Sequence, residues 1–344
     1  MSLKWYIARR VAYTILLIFA VIVFNFFLFQ VLPFTTGCPG ETYTQCAVSL
    51  YVPPPSGSAS LNSSIIYQHQ RQIVIQEYGF NQSIGTRFVL YIWNMLTWRF
   101  GYNIGGSLGG PVVTTIGLRL PYTVLLLGLS LIAAFIIGIG LGIIAAARRG
   151  RLVDISAMSV SLFFNALPVF WLAGLLIILQ ILVTNSSYLN VGATTLNKTG
   201  LDAAVATMKA MWLPFLTVTL VSIGRFFLTM RATMVDTLAE DYIITARAKG
   251  LRERTVLLHH ASRNAIIPVA TLFALSIGFI LAGAIVTETV FNWPGLGSAL
   301  YLGVISTDFP LEQALFYIIA LMVLLANFTV DILYGFLDPR IKTG

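Results

Sequence analysis

The stretch VAYTILLIFAVIVFNFFLFQVL, residues 11–32, contains no charged side chain and decides the class of fold. A membrane-spanning helix needs roughly 20 mostly apolar residues, so this run is long enough to cross a bilayer. It is also longer than the apolar part of a signal peptide, roughly 7–15 residues, and no small-x-small cleavage pattern follows it. We therefore expect a retained membrane helix.

Five further apolar segments follow along the chain. The protein is 57% hydrophobic and only 10% charged, with a mean hydropathy of +0.85, whereas a soluble domain carries about 25% charged residues. The predicted spans cover residues 11–32, 121–147, 155–183, 212–230, 267–287 and 314–337. Such long, continuously apolar runs favour helices over barrel strands. The sequence predicts an all-α integral membrane protein with about six transmembrane helices.

The basic residues are distributed unevenly between the two sides of these spans. With the N-terminus inside, 15 of the 21 Lys and Arg residues fall on the cytoplasmic side. They are Lys4, Arg9, Arg10, Arg148, Arg149, Arg151, Arg225, Arg231, Arg247, Lys249, Arg252, Arg254, Arg263, Arg340 and Lys342. This excess predicts that both termini are cytoplasmic. The net charge of +8 then reflects orientation and contact with anionic lipid, not nucleic-acid binding.

The predicted topology divides the chain into three parts. They are an N-terminal segment with the first span (1–32), an extracellular loop region (33–120) and a core with five spans (121–344), which includes a cytoplasmic loop (236–268) between spans four and five.

The third span contains Pro168, which removes a backbone hydrogen bond and can kink the helix. Gly138, Gly142 and Ala146 stand four residues apart in the second span, a spacing that indicates close helix packing.

The outer loop region contains both cysteines, Cys38 and Cys46, which an extracellular location would allow to form a disulfide; two free thiols are the alternative. Residues 62–78 of this region have the composition of a helix. Glycosylation sequons lie at Asn62, Asn81, Asn185 and Asn197, although polar loops also produce sequons by chance.

The sequence EDYIITARAKGLRERTVLLHHASRNAIIP, residues 240–268, is a polar and basic island between two apolar spans. Thr237 and Glu240 fit a capping box that would start a helix, and Gly250 offers the left-handed conformation that would end it. A second helix over 252–265 should end near Pro268. The island therefore predicts two short cytoplasmic helices.

The first of these helices presents a narrow face that suits a partner protein. Tyr242, Ala246 and Lys249 share this face at i, i+4 and i+7, with a small residue at its middle. Such a helix suits docking into a groove of another protein, whereas the alternative is a solvated loop. His259 and His260 are adjacent and diverge by about 100° on a helix, so they do not form a metal site.

Several kinds of activity are disfavoured by the sequence. No GxxxxGK[ST] pattern occurs, so we expect no ATP bound through a P-loop. Asp154, Arg231, Glu288 and Asp331 lie near the ends of spans, whereas ion-coupled carriers use ionisable groups near mid-span. We also find no Ser, His or Asp constellation suited to an intramembrane hydrolase. These observations argue against an enzyme and against an ion-driven carrier.

The island and several other motifs carry a resemblance to a known family. They read Asp241-Tyr-x-x-Thr-Ala-Arg-Ala-Lys-Gly250-Leu251, His260-Ala-x-Arg-Asn-Ala-x-x-Pro268, Ile7-Ala-Arg-Arg10, Arg119-Leu-Pro-Tyr-Thr123, Gly138-Ile-Gly-Leu-Gly142, Ala147-Arg-Arg-Gly150 with Asp154, Pro168-Val-Phe-Trp-Leu172, Glu288-Thr-Val-Phe-Asn-Trp-Pro-Gly-Leu-Gly297, Asp308-Phe-Pro310 and Asp338-Pro-Arg340. Together they resemble the permease subunits of ABC transporters of the dipeptide and oligopeptide class, over most of the chain. Two departures are Ile244-Thr245-Ala246 in place of the EAA-type triplet of ABC importers generally, and Leu32-Pro-Phe-Thr35 in place of a Pro-Gly-Asp-Pro ending.

The resemblance implies a plasma-membrane subunit that forms half of the translocation path of an ATP-driven importer. Its implied partners are a second homologous permease, two ATP-binding subunits and an extracellular solute-binding protein. ATP and Mg²⁺ would then bind only to the ATPase subunits, and this chain would carry no cofactor. The implied ATPase-coupling residues are Asp241, Tyr242, Ala246, Arg247, Lys249, Gly250 and Leu251.

Two questions stay open at the level of the sequence. A channel or secondary carrier that acts without an ATPase is the alternative function, and it would be expected to show mid-span charges or an internal repeat. The solute can be a peptide, an oligosaccharide or nickel, because no substrate-binding residue is identifiable.

Overall fold

The computed structural model describes residues 3–32, 42–52, 61–104, 110–185 and 200–337; Cys38, Asn197 and residues 338–344 lie outside them. Within these ranges the protein is helical and contains no β-strand, as predicted. The helices are α1 (Leu3–Phe26), α2 (Tyr43–Tyr51), α3 (Leu61–Tyr78), α4 (Ile84–Leu96), α5 (Val112–Ala147), α6 (Leu152–Ala166), α7 (Val169–Thr184), α8 (Gly200–Thr237), α9 (Asp241–Ala248), α10 (Glu253–Thr255), α11 (Ser262–Val290), α12 (Leu296–Ser306) and α13 (Phe309–Leu337). Two π-helical turns, Phe27–Val31 and Val256–Ala261, continue α1 and precede α11.

Four stretches of helix are long and apolar enough to cross a membrane. They are Trp5–Val31, Val112–Ala147, Gly200–Thr237 and Phe309–Thr329, and they include or overlap the first, second, fourth and sixth predicted spans. The fifth predicted span lies within α11, which is helical throughout. The helices extend beyond the predicted boundaries because polar residues at the ends of an apolar run continue the same backbone hydrogen bonding.

The third predicted span is broken into two helices, α6 and α7, which are bent by 105°. Leu167 and Pro168 both have extended backbones at the break, with ψ of 135° and 132°. A proline has no backbone N–H, and it also disfavours the helical conformation of the residue before it. The expected kink is therefore a complete interruption of the helix.

The predicted outer loop region, residues 33–120, is largely helical where it is described. It contains α2, α3, which matches the helix expected over 62–78, α4, and the first nine residues of α5. Ser83 caps α4 by accepting a hydrogen bond from the backbone N–H of Thr86. Cys46 is buried and disulfide-bonded.

The chain forms two compact units. The first comprises residues 1–121 and 295–344, and the second comprises 122–294. In the first, α1 packs along α13, and the side-chain amide of Asn25 donates to the backbone oxygen of Gln313 at 2.8 Å. Aromatic rings of Tyr51, Tyr78 and Phe80 pack beside this pair of helices, with Phe309 stacked on Tyr51.

In the second unit, small residues of α5 let α8 approach closely, as the spacing predicted. A Cβ added to Gly138 would lie 2.7 Å from the Cβ of Phe226, and one added to Gly142 would lie 2.7 Å from the Cβ of Met230. Real Cβ contacts are not this short, so only glycine fits at either position. Ala146 is buried in the same core one turn further along.

We expect Gly142→Val to destabilise the protein by about 1–3 kcal/mol, the usual effect of overpacking a core, because Met230 and the backbone of Arg231 leave no room for a side chain. Gly140→Val is a matched control on the same helix, since nothing lies within 4 Å of an added Cβ there. Unfolding of both purified variants in detergent would be compared with that of the natural protein. Equal loss of stability in the two variants would contradict the proposed close approach.

Candidate functional site

The polar island begins with a turn and a short helix, α9, but not through the predicted capping box. Thr237 is the last residue of α8, and its hydroxyl donates to the backbone oxygen of Thr233 at 2.7 Å. Glu240 is the N-cap of α9 and makes no side-chain capping bond. The capping-box prediction is wrong because a threonine hydroxyl can bond the carbonyl four residues earlier, which lets it stay inside the preceding helix.

The inner face of α9 rests on the hydrophobic core of its unit. Ile243 and Ala246 are 0% and 6% exposed, and both belong to the cluster that includes Met234, Val256 and Ala261. They stand three residues apart and so lie on one side of the helix. The core beneath α9 therefore holds it in place along its length.

The outer face of α9 and the turn after it are exposed. The candidate coupling surface consists of Asp241, Tyr242, Arg247, Lys249, Gly250 and Leu251, which are all exposed. Ala246 does not share this surface, although the sequence grouped it with Tyr242 and Lys249. Because its methyl group points into the core, the structure places Ala246 under the surface as a support.

Two polar contacts fix side chains of the coupling surface. The side-chain amide of Asn264 donates to the hydroxyl oxygen of Tyr242 at 2.8 Å. The guanidinium of Arg247 donates two hydrogen bonds to Glu253, the shorter at 2.7 Å. These bonds raise the pKa of Arg247. The contacts connect α9 to Glu253 of α10 and to Asn264 in the first turn of α11, so the surface is held to both helices.

Gly250 ends α9 as expected. It has a φ of +75°, the left-handed region that side chains with a Cβ rarely adopt, and nothing lies within 4 Å of an added Cβ. The requirement for glycine is therefore conformational rather than steric.

The second predicted helix does not end near Pro268. The chain is helical without interruption from Glu253 through Val290, and Pro268 lies inside α11. Helices in membrane proteins tolerate an internal proline when neighbouring side chains satisfy the loosened backbone groups. The hydroxyl of Thr233 on α8 donates to the backbone oxygen of Ala265 at 2.9 Å. Ala265 directly follows Asn264, whose carbonyl loses its helical donor because proline has no N–H.

An ion pair that the sequence did not predict anchors the turn between α5 and α6. The carboxylate of Asp154 accepts hydrogen bonds from both Nε and Nη2 of Arg231, the latter at 2.7 Å, and a third from the backbone N–H of Gly150 at 2.9 Å. The Asp154 side chain is only 2% exposed. Both residues lie near the ends of predicted spans, but nothing in their spacing, 77 positions apart, indicated that they meet.

A second buried carboxylate holds the motif that follows α11. Glu288 is 0% exposed and accepts a hydrogen bond from the hydroxyl of Thr123 at 2.7 Å. The indole N–H of Trp293 donates to the backbone oxygen of Tyr122 at 3.0 Å. Tyr122 and Thr123, at the start of the second predicted span, thus contact Trp293 and Glu288 of the motif that follows α11.

Comparison with known proteins identifies the family. Residues 138–343, which include the island, match the family described as the binding-protein-dependent transport system inner membrane component. The chain belongs to this family. This permease is similar to the oligopeptide transport system permease protein AppB of Bacillus subtilis (strain 168), with 34% identity over 80% of this chain and 86% of that protein.

Two further relatives of the permease cover similar lengths. The glutathione transport system permease protein GsiC of Shigella boydii serotype 4 is 38% identical over 79% of this chain and 84% of that protein. The dipeptide transport system permease protein DppB of Escherichia coli (strain K12) is 32% identical over 78% and 84%. The protein is therefore a permease subunit of an ABC importer and a multi-pass membrane protein, not an enzyme. The alternative of a channel or carrier without an ATPase is not favoured.

Proposed function

We propose that the coupling surface of this permease receives an ATP-driven motion from a partner ATPase. The observation that supports this proposal is the division of α9 into two faces. Ile243 and Ala246 are buried in the protein's own core, whereas Tyr242 and Leu251 stay 42% and 39% exposed. A helix held firmly from below can pass a displacement of its outer face to the helices behind it.

The proposed mechanism is alternating access. Two ATP-binding subunits, which bind ATP and Mg²⁺, approach each other. Each coupling helix rests in a groove of its ATPase, so α9 moves with that groove as a rigid body. Because Asn264 of α11 and Glu253 of α10 are hydrogen-bonded to side chains of the coupling surface, α11 moves with α9. ATP then shifts the population of the transporter between inward- and outward-open states by differential contacts.

The proposed topology has six spans with both termini in the cytoplasm and the coupling surface on the same side. The bent pair α6 and α7 and the helix α11 supply the third and fifth spans. This arrangement rests on the distribution of basic residues. An extracellular loop would also suit the disulfide of Cys46, which we propose is made with Cys38.

The proposed solute is a short peptide, delivered by an extracellular solute-binding protein to a path that this permease forms with a second, homologous one. Three relatives, named for oligopeptide, dipeptide and glutathione transport, support this choice over oligosaccharides. Uptake of a labelled tripeptide by the reconstituted transporter would test it. Competition by unlabelled dipeptides is the expected result, and competition only by an oligosaccharide or by nickel would contradict it.

We expect Leu251→Asp to lower ATP-driven uptake by roughly tenfold or more, since placing an unpaired charge against an apolar groove costs over ~1.4 kcal/mol of binding. Leu258→Asp is the matched control, because Leu258 is similarly exposed, at 44%, but lies outside the coupling surface. Uptake, ATP hydrolysis and co-purification of the ATPase would be measured in both variants. Normal uptake by Leu251→Asp, or equal loss in the two variants, would contradict docking at this surface.

A further inference from the structure

The helix α4, Ile84–Leu96, has its two faces arranged in the reverse of the usual order for a surface helix. Its buried side chains are Arg87, Tyr91, Asn94 and Met95, three of which are polar. Its exposed large side chains are all apolar. A surface helix in water normally buries its apolar stripe and exposes its polar one.

The polar groups of α4 are directed into the protein. Arg87 is 3% exposed, donates to the side-chain oxygen of Gln30 at 3.0 Å and lies over the ring of Tyr43 at 4.2 Å. The side-chain amide of Asn94 donates to the backbone oxygen of Glu77 at 3.2 Å. The only charged side chain of the helix is therefore hidden from its outer surface.

The outward face of α4 forms a continuous apolar strip. We call Val89, Trp93 and Leu96 the lipid face; they are 65%, 58% and 55% exposed. The strip continues beyond the helix with Trp98 at 47%. It also adjoins the membrane-spanning α1 and its continuation, whose Phe24 and Phe27 are 65% and 53% exposed.

Contacts with α1 set the depth of α4. The rings of Phe88 and Tyr91 lie 5.1 and 5.4 Å from the ring of Phe26, and Phe88 lies 6.5 Å from Phe19. At a rise of about 1.5 Å per residue, Phe26, which both rings contact, is roughly 9 Å inside the end of the apolar run at Leu32, and the more distant Phe19 is roughly 20 Å inside it. Helices that lie in a membrane interface bury their apolar face by about 5–10 Å. These contacts therefore place α4 beside α1 at the depth of the acyl chains.

We propose that the lipid face of α4 lies in the bilayer, so that the permease has an in-plane membrane helix in addition to its spans. Hydrocarbon and the glycerol region of the lipid are the occupant that the face fits, because Val89, Trp93 and Leu96 carry no charge and lie beside the exposed apolar side chains of the membrane-spanning α1. Trp93 and Trp98 suit the interfacial level, where tryptophan is enriched. This placement goes beyond the proposed coupling function, and neither depends on the other.

Site-directed spin labelling tests the placement of α4. Val89→Cys, Trp93→Cys and Leu96→Cys would be labelled one at a time in the full-length permease within its assembled, reconstituted transporter, under non-reducing conditions that keep Cys46 in its disulfide. Gln76→Cys, on the exposed side of α3, is the water-facing control. Each label's collisions with oxygen, which partitions into lipid, are compared with its collisions with a water-soluble nickel chelate.

The expected result is a change of sign in the logarithm of the oxygen-to-nickel collision ratio, positive at the three α4 positions and negative at Gln76. Collisions with nickel that exceed those with oxygen at Val89 and Leu96 would place the face in water and overturn the proposal. Low access to both reagents would show that a protein partner covers the face, and would overturn it equally. Three positions on one face keep the test decisive if one variant fails to assemble, and loss of uptake through the coupling surface leaves this readout unchanged.

Discussion

Replacing Ala246 with glutamate is expected to abolish solute uptake while the protein still inserts into the membrane. Ala246 is only 6% exposed and packs in the cluster that includes Ile243 and Val256, so a side chain placed there is almost completely shielded from water. An ionised carboxylate buried there without a partner costs several kcal/mol. Since each ~1.4 kcal/mol corresponds to a tenfold change in an equilibrium, we expect α9 to lose its packing against the core.

Uptake and ATP hydrolysis by the reconstituted transporter would both be measured, because loss of coupling separates the two activities. Ala246→Ser is the matched control, as it adds only a hydroxyl and should retain most of the uptake. Uptake at the natural rate by Ala246→Glu would show that α9 does not need its buried seat, and would remove the physical basis of the coupling proposal.

The second large effect is expected from Asp154→Ala, which should lower the free energy of unfolding by about 3 kcal/mol. Removing one partner of a buried ion pair leaves the other charge uncompensated, at a cost of about 3–5 kcal/mol. We expect the lower end of this range because the Arg231 side chain is 21% exposed. Unfolding of the detergent-solubilised protein would measure the change.

Two further variants separate loss of the ion pair from a general disturbance. The double variant Asp154→Ala/Arg231→Met should recover much of the lost stability, since it removes the unpaired charge together with its partner. Glu253→Gln breaks the exposed pair with Arg247 and should cost less than about 1 kcal/mol. If Asp154→Ala and Glu253→Gln proved equally mild, the ion pair would not anchor the turn after α5.

The sequence predicted the helical membrane class and the close packing at Gly138 and Gly142, because both follow from local patterns. Long apolar runs satisfy their backbone hydrogen bonds only as helices in lipid. Small residues four apart create a groove on one side of a helix. The end of α9 at Gly250 was also predictable, since a left-handed turn after a helix favours glycine whatever surrounds it.

Predictions at the edges of the island were less successful, since tertiary contacts decide there. The hydroxyl of Thr237 bonds inside α8 rather than capping α9. The helix continues through Pro268, close to where Thr233 of α8 donates to the backbone oxygen of Ala265. Both outcomes involve Thr233, which lies outside residues 236–268. Its backbone oxygen accepts the Thr237 hydroxyl, and its own hydroxyl contacts α11.

By itself, the sequence determined that this protein is a membrane permease with a polar island between two apolar spans, because composition, apolar run length and motif order are properties of the chain. Only the tertiary structure decided which side of each helix faces inward. In the structure, Ala246 is buried beneath the coupling surface, whereas Tyr242 and Leu251 are exposed. It also joined Asp154 to Arg231 and directed the polar face of α4 into the protein. The physical reason is that burial and ion pairing depend on which distant segments meet, and spacing along the chain carries no record of that.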